Sequence, residues 1–456
     1  MNHSTRWTAL RRVASVAVAG AVVAAALVGC SSSGNSGSSG AGAGGGKPAD
    51  VEAALKKGGE ITYWTWTPAA KAQVAAFEKV YPKVKVNLVN AGTNTTEYTK
   101  LQNAVKAGKG APDVAQVEYY AVPQFALGDS LVDLSQFGFD SLKSDYSSGP
   151  WSNVNVQGKV MGLPQDSGPM ALFYNKTEFD KYGIAVPKTW DEYIAAAKKL
   201  HAANPNAYIT SDSGDPGFIT SMIWQAGGQP FKVDGTKVSI NLQDDGTKKF
   251  TAMWNQLVEG KLLSQVPGWS DDWYKALGNG DVATLITGAW MPGVLESSVP
   301  QGSGQWAVAP IPTYDGTPVN AENGGSAEVV MKQSKNQALA AGFLKWLNDS
   351  EQSVNIFIGS GGGFPSTTKD QNSDNFLNQA PAYFGGQKIN QVLVDGAKPV
   401  VEGWQYLPFE VYANSIFGDT VGQAYTKSSS LDPGLVAWQK ALVDYGNQQG
   451  FKVTVG

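Results

Sequence analysis

The stretch Gly158-Lys-Val-Met-Gly-Leu-Pro-Gln-Asp-Ser-Gly-Pro-Met-Ala-Leu-Phe-Tyr-Asn175 contains two short predicted strands, 160–163 and 171–174, separated by a linker rich in proline and glycine. Proline fixes its own backbone and restricts the residue before it, so this linker is expected to be stiff, extended and separate from both strands. Asp166 and Ser167 lie in the middle of the linker and offer polar side chains. Such a unit is typical of a chain that leaves one domain and starts another, and an ordinary loop inside one domain is the alternative.

A helix is predicted directly after this unit, beginning at Pro187-Lys-Thr-Trp190. Thr189 and Glu192 have the spacing of a capping box, and apolar residues recur on one face of the segment that follows. A chain of 456 residues is long enough for two or three domains with sizeable cores. The linker and its helix together predict a domain boundary near residue 165.

The first segment is predicted to be a secretion signal that does not join the fold. A basic region up to Arg12 precedes an apolar run over 13–28, which is too short for a stable membrane span. The run ends in Leu27-Val-Gly-Cys30, which resembles a bacterial lipobox, where the cysteine becomes the lipidated first residue of the mature protein. Cys30 is the only cysteine, so disulfides and cysteine-based metal or redox sites are excluded. A plain signal peptide is the alternative.

A flexible tether is predicted after Cys30, because residues 31–46 are almost entirely Ser, Gly and Ala. Random-chain scaling gives such a segment a reach of roughly 20 Å. A lipid anchor followed by this tether would hold a soluble protein at the outer face of the cytoplasmic membrane, with the anchor as its only membrane contact.

The charge balance and the histidines exclude several classes of function. Loss of the signal, with its three arginines and no acids, changes the net charge from −4 to −7. No basic patch has the density that nucleic acid requires, so that partner is disfavoured. His201 is the only histidine after the signal, which disfavours a Ser-His-Asp triad and a histidine-ligated metal. No metal or cofactor is predicted.

Alternating strands and helices predict a parallel sheet in the first part of the chain, with strands at 60–66, 84–88 and 112–117. Thr67 and Pro68 have the character of an N-cap and a first helical residue between the first two strands. A βαβαβ order gives parallel strands with right-handed connections, and ligands bind beyond the carboxyl ends of such strands.

Aromatic and acidic side chains follow two of these strands. Trp66 comes after the first strand, whereas Trp64 is expected to point the other way, into the core. Glu118 comes after the third strand. Tyr119 and Tyr120 point in opposite directions there, so at most one of them is expected to face a ligand.

Two further linkers are predicted at 321–326 and 359–365, both rich in glycine. Between the linker near residue 165 and the one at 321–326, residues 278–290 include a predicted strand of small and β-branched residues. This strand ends in a glycine and Trp290. The remainder of the chain is predicted to be mostly helical.

These segments, in this order, resemble the extracellular solute-binding lipoproteins of carbohydrate ABC importers, the maltose-binding-protein-like family 1. The resemblance runs from about Glu60 to Tyr445. The motifs that carry it are Gly110-Ala-Pro-Asp-Val114, Gly158-Lys-Val-Met-Gly-Leu-Pro164, Tyr174-Asn-Lys176, Pro187-Lys-Thr-Trp-Asp-Glu192, Gly280-Asp-Val-Ala283, Gly288-Ala-Trp290, Gly324-Gly325, Ser334-Lys-Asn336 and Phe364-Pro365.

The resemblance implies an α/β protein with the two-lobed, type II periplasmic-binding-protein-like fold, a three-crossing hinge and a ligand in the interlobe cleft. It implies a monomer that binds a sugar outside the cell, passes it to an ABC permease and is not an enzyme. The many tryptophans favour an oligosaccharide over a monosaccharide. The expected organisation is a signal peptide at 1–29, a lipidated cysteine and tether at 30–58, lobe one at 59–165 and 323–361, and lobe two at 166–322 and 362–456.

The expected site combines aromatic planes, which stack on the apolar faces of a sugar, with carboxylates, which take its hydroxyls. Trp290 is the first candidate, because the family places a stacking aromatic after the Gly-x-Trp strand. Asp166 is expected in the hinge. The full set of candidate ligand-binding residues is Trp290, Asp166, Glu118, Trp66, Tyr120, Trp224, Trp269, Asp272, Trp273 and Trp404.

The residues are also compatible with two other classes of function. A secreted glycoside hydrolase would need two carboxylates across a cleft, and Asp166 with Glu118 or Asp272 could form such a pair. A binder of another solute is also compatible with the residues: acids beside aromatics suit a polyamine, and adjacent tyrosines suit a ferric site that would need further oxygen ligands.

Overall fold

The structure, a computed structural model, describes residues 48–456, so Cys30 and the tether predicted over 31–46 lie outside the described residues. The strands are β1 (Gly59–Trp64), β2 (Val84–Val89), β3 (Val114–Glu118), β4 (Asn155–Val156), β5 (Lys159–Val160), β6 (Leu163–Pro164), β7 (Asp166–Ser167), β8 (Met170–Asn175), β9 (Thr210–Ser211), β10 (Phe231–Asp234), β11 (Lys237–Ile240), β12 (Leu263–Ser264), β13 (Thr284–Gly288), β14 (Trp306–Pro310), β15 (Ser326–Val330), β16 (Phe364–Pro365) and β17 (Lys452–Val455).

The helices alternate with these strands through both halves of the chain. They are α1 (Pro48–Lys57), α2 (Ala70–Val80), α3 (Asn94–Lys106), α4 (Val122–Leu127), α5 (Ser148–Val154), α6 (Lys176–Tyr182), α7 (Trp190–Ala203), α8 (Pro216–Gln225), α9 (Asp245–Glu259), α10 (Asp271–Asn279), α11 (Met291–Ser298), α12 (Gln337–Asp349), α13 (Glu351–Gly359), α14 (Thr368–Gln371), α15 (Asp374–Leu377), α16 (Ile389–Ala397), α17 (Glu410–Ser415), α18 (Gly422–Lys427) and α19 (Asp432–Gln448). None of the helices within residues 48–456 has both the length and the apolar character that crossing a membrane requires.

The first lobe is built on a five-stranded sheet with the order β2-β1-β3-β15-β6. Strands β1, β2 and β3 are parallel, as the βαβαβ pattern predicts. Strand β15 returns from the second half of the chain and lies antiparallel between β3 and β6, which the pattern did not predict. The core of this lobe accordingly combines residues from 51–163 with residues from 327–347.

The second lobe contains a three-stranded antiparallel sheet, β13-β8-β14, and most of the remaining helices. Two hydrophobic clusters fill it, and both draw on residues before and after the return to the first lobe. Helix α7 begins with the predicted capping box, in which the Thr189 side chain and the Glu192 side chain each accept a backbone N–H. This local prediction is confirmed because capping depends on residues only three positions apart.

The three lobe crossings predicted near residues 165, 322 and 361 lie side by side. Strand β7 pairs with β16, so the first and third crossings are hydrogen-bonded to each other, and Pro169 bridges to Glu322 in the second crossing. The prediction that the first linker joins neither flanking element is wrong, because Pro164, assigned to the linker, belongs to β6 and pairs with Ala327 of β15. That strand is at the edge of the sheet, where proline is tolerated since the edge does not need its missing N–H.

Two local predictions in the first lobe are also wrong. The segment 48–57, assigned to the tether over 30–58, forms α1 and packs on α12, because Val51 and Leu55 are one turn apart and bury the same face. Helix α2 begins at Ala70 without a side-chain cap. Thr67, the predicted N-cap, donates its hydroxyl to other side chains instead.

Candidate functional site

The first lobe contributes Trp66 and Glu118, which follow the carboxyl ends of neighbouring strands. Trp66 lies two residues beyond β1 and is half-buried, and its backbone N–H donates to Oε1 of Gln116 at 3.2 Å. Trp64, still within β1, is partly exposed and packs against the core of the lobe. Because it is two positions from Trp66, alternation along the strand does not by itself turn the two side chains in opposite directions. Glu118 is the last residue of β3.

Tyrosines surround the carboxyl group of Glu118. The Tyr98 hydroxyl donates to Oε2 of Glu118 at 3.4 Å and accepts the Glu118 N–H at 2.9 Å. Burial raises the pKa of Glu118 to about 7, although hydrogen bonds from Tyr120 and Tyr98 oppose the shift. The charge of Asp215 in the second lobe raises the pKa further, so Glu118 lies within electrostatic reach of the opposite lobe.

The two adjacent tyrosines differ in burial, as their opposite directions predict. Tyr119 is 1% exposed, and its hydroxyl donates to the Asp166 carbonyl at 2.6 Å. Tyr120 is half-buried, and its ring meets the edge of Tyr98 at 5.9 Å between centroids. Tyr120 is therefore the member of the pair that accompanies Glu118.

Asp166 lies in the first crossing and is buried. Its Oδ1 accepts the backbone N–H of Ser326 at 2.7 Å, which ties the first crossing to the start of β15. Burial raises the pKa of Asp166 well above the usual range, and nearby carboxyls raise it further. One carboxyl oxygen is thus occupied by the hinge itself, and ligand binding by the other stays a prediction.

The second lobe presents three tryptophans next to the hinge. Trp290 follows β13, is half-buried, and its Nε1–H donates to the Asn323 carbonyl in the second crossing at 2.7 Å. Trp269 stacks on it with 5.8 Å between ring centroids and is 52% exposed. Trp273 is buried behind Trp269 and donates its Nε1–H to Ser211 at 2.6 Å. Trp269 and Trp290 therefore form a partly open aromatic surface, which Trp273 supports from the core.

Three other candidates are in the wrong surroundings for a ligand. Trp224 and Trp404 stack on each other in the core of the second lobe and are 3% and 6% exposed, because α8 and the segment before α17 pack together there. Asp272 lies in the exposed first turn of α10 and forms an ion pair with Lys275 at 3.1 Å. An acid in this position stabilises the start of the helix. These surroundings give none of the three an open face beside the other candidates, and ligand binding by them stays a prediction.

Three residues beside the candidate site were not predicted from the sequence. Asp215 caps α8 through Oδ1, which accepts the Phe218 N–H at 3.0 Å. It keeps contact with solvent, yet the surrounding protein raises the pKa of its carboxyl. Tyr406 packs against the cores of both lobes. The Asn323 carbonyl accepts the indole N–H of Trp290. Asp215 before Pro216 has an N-cap pattern that predicts the cap, but no pattern marks Tyr406 or Asn323 as part of a site.

Carboxyl groups with unusual pKa values surround this region. Burial raises the pKa of Glu118, Glu322 and Glu410 to about 7 in each case. Near neutral pH each of these groups can therefore accept a hydrogen bond as a carboxylate or donate one as an acid. Within residues 48–456 no group of three acidic, histidine or cysteine side chains has the arrangement that would hold a metal ion.

Two cavities lie outside this region and are lined by other residues. One, of about 330 Å³, is between α1 and α12 in the first lobe. The other, of about 350 Å³, is between α11 and the third crossing. Neither cavity is lined by any of the predicted site residues, so the opposed aromatic and acidic side chains identify the candidate site better than cavity size does.

The chain is similar in sequence and fold to known proteins that bind sugars. The structure is similar to the ABC-transporter-associated binding protein of B. animalis subsp. lactis Bl-04 in complex with β-1,6-galactobiose: the two are 46% identical with a TM-score of 0.81, covering 87% of this chain and 99% of that one. The galacto-N-biose/lacto-N-biose I-binding protein of Bifidobacterium longum, in complex with lacto-N-biose, is 30% identical with a TM-score of 0.77, covering 87% and 99%. The lactose-binding protein of Rhizobium radiobacter is 25% identical over 359 residues, 74% of this chain and 82% of that protein.

The similarity extends through both lobes, which confirms the predicted two-lobed α/β fold of type II periplasmic binding proteins. Residues 63–354 also match one family directly, and its members are solute-binding proteins and not enzymes. The chain belongs to the bacterial extracellular solute-binding proteins.

Proposed function

We propose that this protein captures a galactose-containing oligosaccharide outside the cell and delivers it to the permease of an ABC importer. The observation that carries the proposal is the 46% identity, over nearly the full length of both chains, with a protein that holds β-1,6-galactobiose. Lacto-N-biose and lactose, the sugars of the two other relatives, also contain galactose. A shared galactose unit is therefore the most economical description of the ligand.

The residues of the site have the chemistry that such a sugar requires. Trp290 and Trp269 offer aromatic planes in the second lobe, and Trp66 offers one in the first. Aromatic planes suit the apolar face of galactose, and carboxylates suit its hydroxyls through charge-assisted hydrogen bonds. Glu118 and Asp215 provide such carboxylates from opposite lobes, with Tyr120, the buried Trp273 and the free oxygen of Asp166 in supporting positions.

A ligand that touches both lobes would favour the closed arrangement by its difference in affinity for the two states. The three crossings allow the lobes to rotate while each core stays packed. We infer that binding and closure occur together, and that the protein acts as a monomer whose lobes, taken together, contact the permease.

Calorimetry with a panel of ligands tests the proposal: β-1,6-galactobiose, lacto-N-biose, lactose, maltose and spermidine. We expect saturable binding of at least one galactose-containing sugar and no binding of maltose or spermidine. Spermidine is included because carboxyl groups beside aromatics would also suit an amine. Binding of maltose or spermidine alone, or of no galactose-containing sugar, would contradict the proposal.

Prolonged incubation of the bound sugar with an equal amount of protein separates capture from hydrolysis. We expect chromatography to recover the sugar intact. Release of galactose would favour the alternative of a secreted glycoside hydrolase, with Glu118 and Asp215 as the first pair of carboxyls to substitute.

Anchoring through Cys30 is a separate part of the proposal, supported by the lipobox-like Leu27-Val-Gly-Cys30 and the tether that follows it. Residues 1–47 lie outside the described part of the chain. The Cys30→Ala variant is expected to lose lipid incorporation and to leave the membrane fraction for the medium or the periplasm. Unchanged incorporation of labelled fatty acid into this variant would disprove the anchor.

A further inference from the structure

A row of buried polar side chains crosses the sheet of the first lobe directly below Trp66. In the register of β3 and β15, Gln116 lies opposite Glu328. Thr65 continues β1 on the other side of Gln116, and the two side chains are hydrogen-bonded. The exposed fractions of Thr65, Gln116 and Glu328 are 3%, 2% and 0%. Polar groups this deeply buried need hydrogen-bond partners, so the pattern of their bonds is informative.

The row begins at the carboxyl group of Glu328, which receives hydrogen bonds from three side chains. Tyr63 donates its hydroxyl to Oε1 at 2.7 Å, Gln165 donates Nε2–H to Oε1 at 2.6 Å, and Asn348 donates Nδ2–H to Oε2. Because all three partners donate, the arrangement suits the ionised carboxylate. The amide group of Gln165 is therefore held with its nitrogen toward Glu328 and its oxygen away from it.

The orientation of the Gln165 amide fixes the orientation of the Gln116 amide. The Gln116 amide donates Nε2–H to Oε1 of Gln165 at 3.1 Å, so its own oxygen faces the end of β1. That oxygen accepts three hydrogen bonds: the Thr65 hydroxyl at 2.6 Å, the Thr67 hydroxyl at 2.9 Å and the Trp66 backbone N–H at 3.2 Å. A reversed Gln116 amide would turn its own N–H groups toward these partners and would lose the bond from the Trp66 N–H, which can only donate, whereas the threonine hydroxyls can also accept.

The segment around Trp66 depends on this amide because β1 ends at Trp64. The Thr65 N–H still bonds to the Val89 carbonyl of β2 at 3.1 Å, whereas the Trp66 N–H bonds to the Gln116 side chain. We propose that Gln116 is a positioning residue, which holds the backbone of Trp66 so that its indole meets the ligand. The inference rests on the proposed function, in which Trp66 contacts the sugar.

The arrangement also connects the site to the hinge. Gln165, which orients Gln116, is in the first crossing between β6 and β7. The Thr67 hydroxyl, with its single proton, lies between the two amide oxygens, 2.9 Å from that of Gln116 and 3.1 Å from that of Gln165. The position of Trp66 is therefore coupled to the geometry of that crossing through two side-chain amides. Loss of either amide is expected to loosen the Trp66 segment without removing any group that touches the ligand.

The Gln116→Met variant tests the inference, because methionine keeps the volume of glutamine and removes its hydrogen bonds. With β-1,6-galactobiose as the probe, we expect affinity to fall by about tenfold, the effect of losing a small number of buried hydrogen bonds. In the Trp66→Ala background the same substitution is expected to cost nothing further, since the two act through one contact. Gln73→Met is the matched control: Gln73 is 2% exposed in the same lobe and bonds to Ser353 instead. It is expected to lower the melting temperature but not the affinity.

A second readout needs no ligand. The protein is labelled with 5-fluorotryptophan, and the fluorine resonance of Trp66 is assigned by its absence from the Trp66→Phe variant. We expect this resonance to broaden or shift in Gln116→Met and to stay unchanged in Gln73→Met. If Gln116→Met does not fold, Thr65→Val replaces it, because valine has the shape of threonine and lacks the hydroxyl that bonds to Gln116.

The outcomes separate this inference from the proposed function. Unchanged affinity in Trp66→Ala would remove Trp66 from the site and leave the fluorine experiment to decide whether Gln116 positions it. An unchanged Trp66 resonance in Gln116→Met would overturn the inference, whatever the ligand. Affinity losses that add in the double variant would overturn it as well, because they would show that Gln116 acts independently of Trp66.

Discussion

Two stacked tryptophan pairs in the second lobe have similar ring geometry and different surroundings. Trp224 and Trp404 stack at 5.3 Å with an angle of 14° between their planes. Trp269 and Trp290 stack at 5.8 Å with an angle of 26°. The first pair is buried within the core, whereas in the second Trp290 is half-buried and Trp269 is 52% exposed. Both pairs have the composition of a sugar site, so stacking alone does not identify one.

The two pairs differ in the exposure of their outer ring faces and in their backbone conformation. The Trp224 Nε1–H donates to the Val401 carbonyl at 2.6 Å, and further rings cover Trp404, so that pair has no free face. Trp269 leaves one side to solvent and has a φ of +67°, a left-handed backbone conformation that costs of order 1–3 kcal/mol for a residue other than glycine. Neither exposure nor strain is explained by core packing, and both are common where a ligand is held.

The largest expected effect is the loss of stability on removing the buried pair. Trp224→Ala is expected to lower the free energy of unfolding by about 3–5 kcal/mol, because it leaves a large cavity and an unpaired Val401 carbonyl. Chemical denaturation measures this loss, and calorimetry on the folded variant is expected to give nearly wild-type affinity. A large loss of affinity with wild-type stability would reverse the assignment of the two pairs.

The next effect is on ligand affinity, at the open pair. Trp290→Ala is expected to weaken binding by about 2–4 kcal/mol, roughly 30- to 1000-fold, because a large stacking surface is lost. Its stability loss should be smaller than that of Trp224→Ala, since Trp290 is only half-buried. Affinity and ligand-free unfolding must be measured on the same variant, and wild-type affinity in a folded Trp290→Ala protein would remove Trp290 from the site.

A moderate effect is expected from pH at the opposite wall of the site. Burial holds the pKa of Glu118 at about 7. In the proposed site a sugar hydroxyl would donate to the ionised form of this group. Affinity should therefore be complete well above pH 7 and fall as the pH drops through 7, by up to about tenfold per unit. Glu118→Gln should bind more weakly at pH 8 and show a flatter profile in calorimetry.

The same raised pKa has the opposite effect on the ligand-free protein. The pKa of Glu118 in the folded protein lies above the ordinary value of 4.5, so the stability that Glu118 contributes is full below about pH 4.5 and is lost as the pH rises through 7. The difference in unfolding free energy between wild type and Glu118→Gln should change with pH in that direction, while the contribution of the buried Trp224 should not. Parallel trends for affinity and stability would contradict the assignment.

The smallest effect is expected at Trp269. Trp269→Gly should weaken binding by about 0.5–1 kcal/mol, two- to fivefold, since the ring is at the rim of the aromatic surface. Stability should change little, because glycine adopts a positive φ without strain and offsets the lost ring contacts. Trp269→Phe keeps an aromatic plane and serves as the matched control. Equal affinity of the glycine variant and the wild type would show that, of the two open tryptophans, only Trp290 contributes to ligand binding.

Sequence patterns predicted those features that depend on near neighbours along the chain. The capping box of Thr189 and Glu192 follows from spacing alone and is as predicted. The hydroxyl of Thr67 shows the limit of prediction from near neighbours, since it bonds to Gln116 and Gln165 and does not cap α2. Those partners are 49 and 98 residues away, and local propensity cannot rank a bond that the folded chain has not yet brought within reach.

The amino-acid sequence by itself determined the lobe crossings, the aromatic and acidic composition of the site and the family resemblance, because proline, glycine and strand periodicity act locally. Only the tertiary structure decided which tryptophans have an open face and which carboxyls face the opposite lobe. It placed Trp224 against Trp404 and Glu118 near Asp215. The physical reason is that burial and pKa depend on every atom packed around a side chain, and most of those atoms belong to residues far away in the chain.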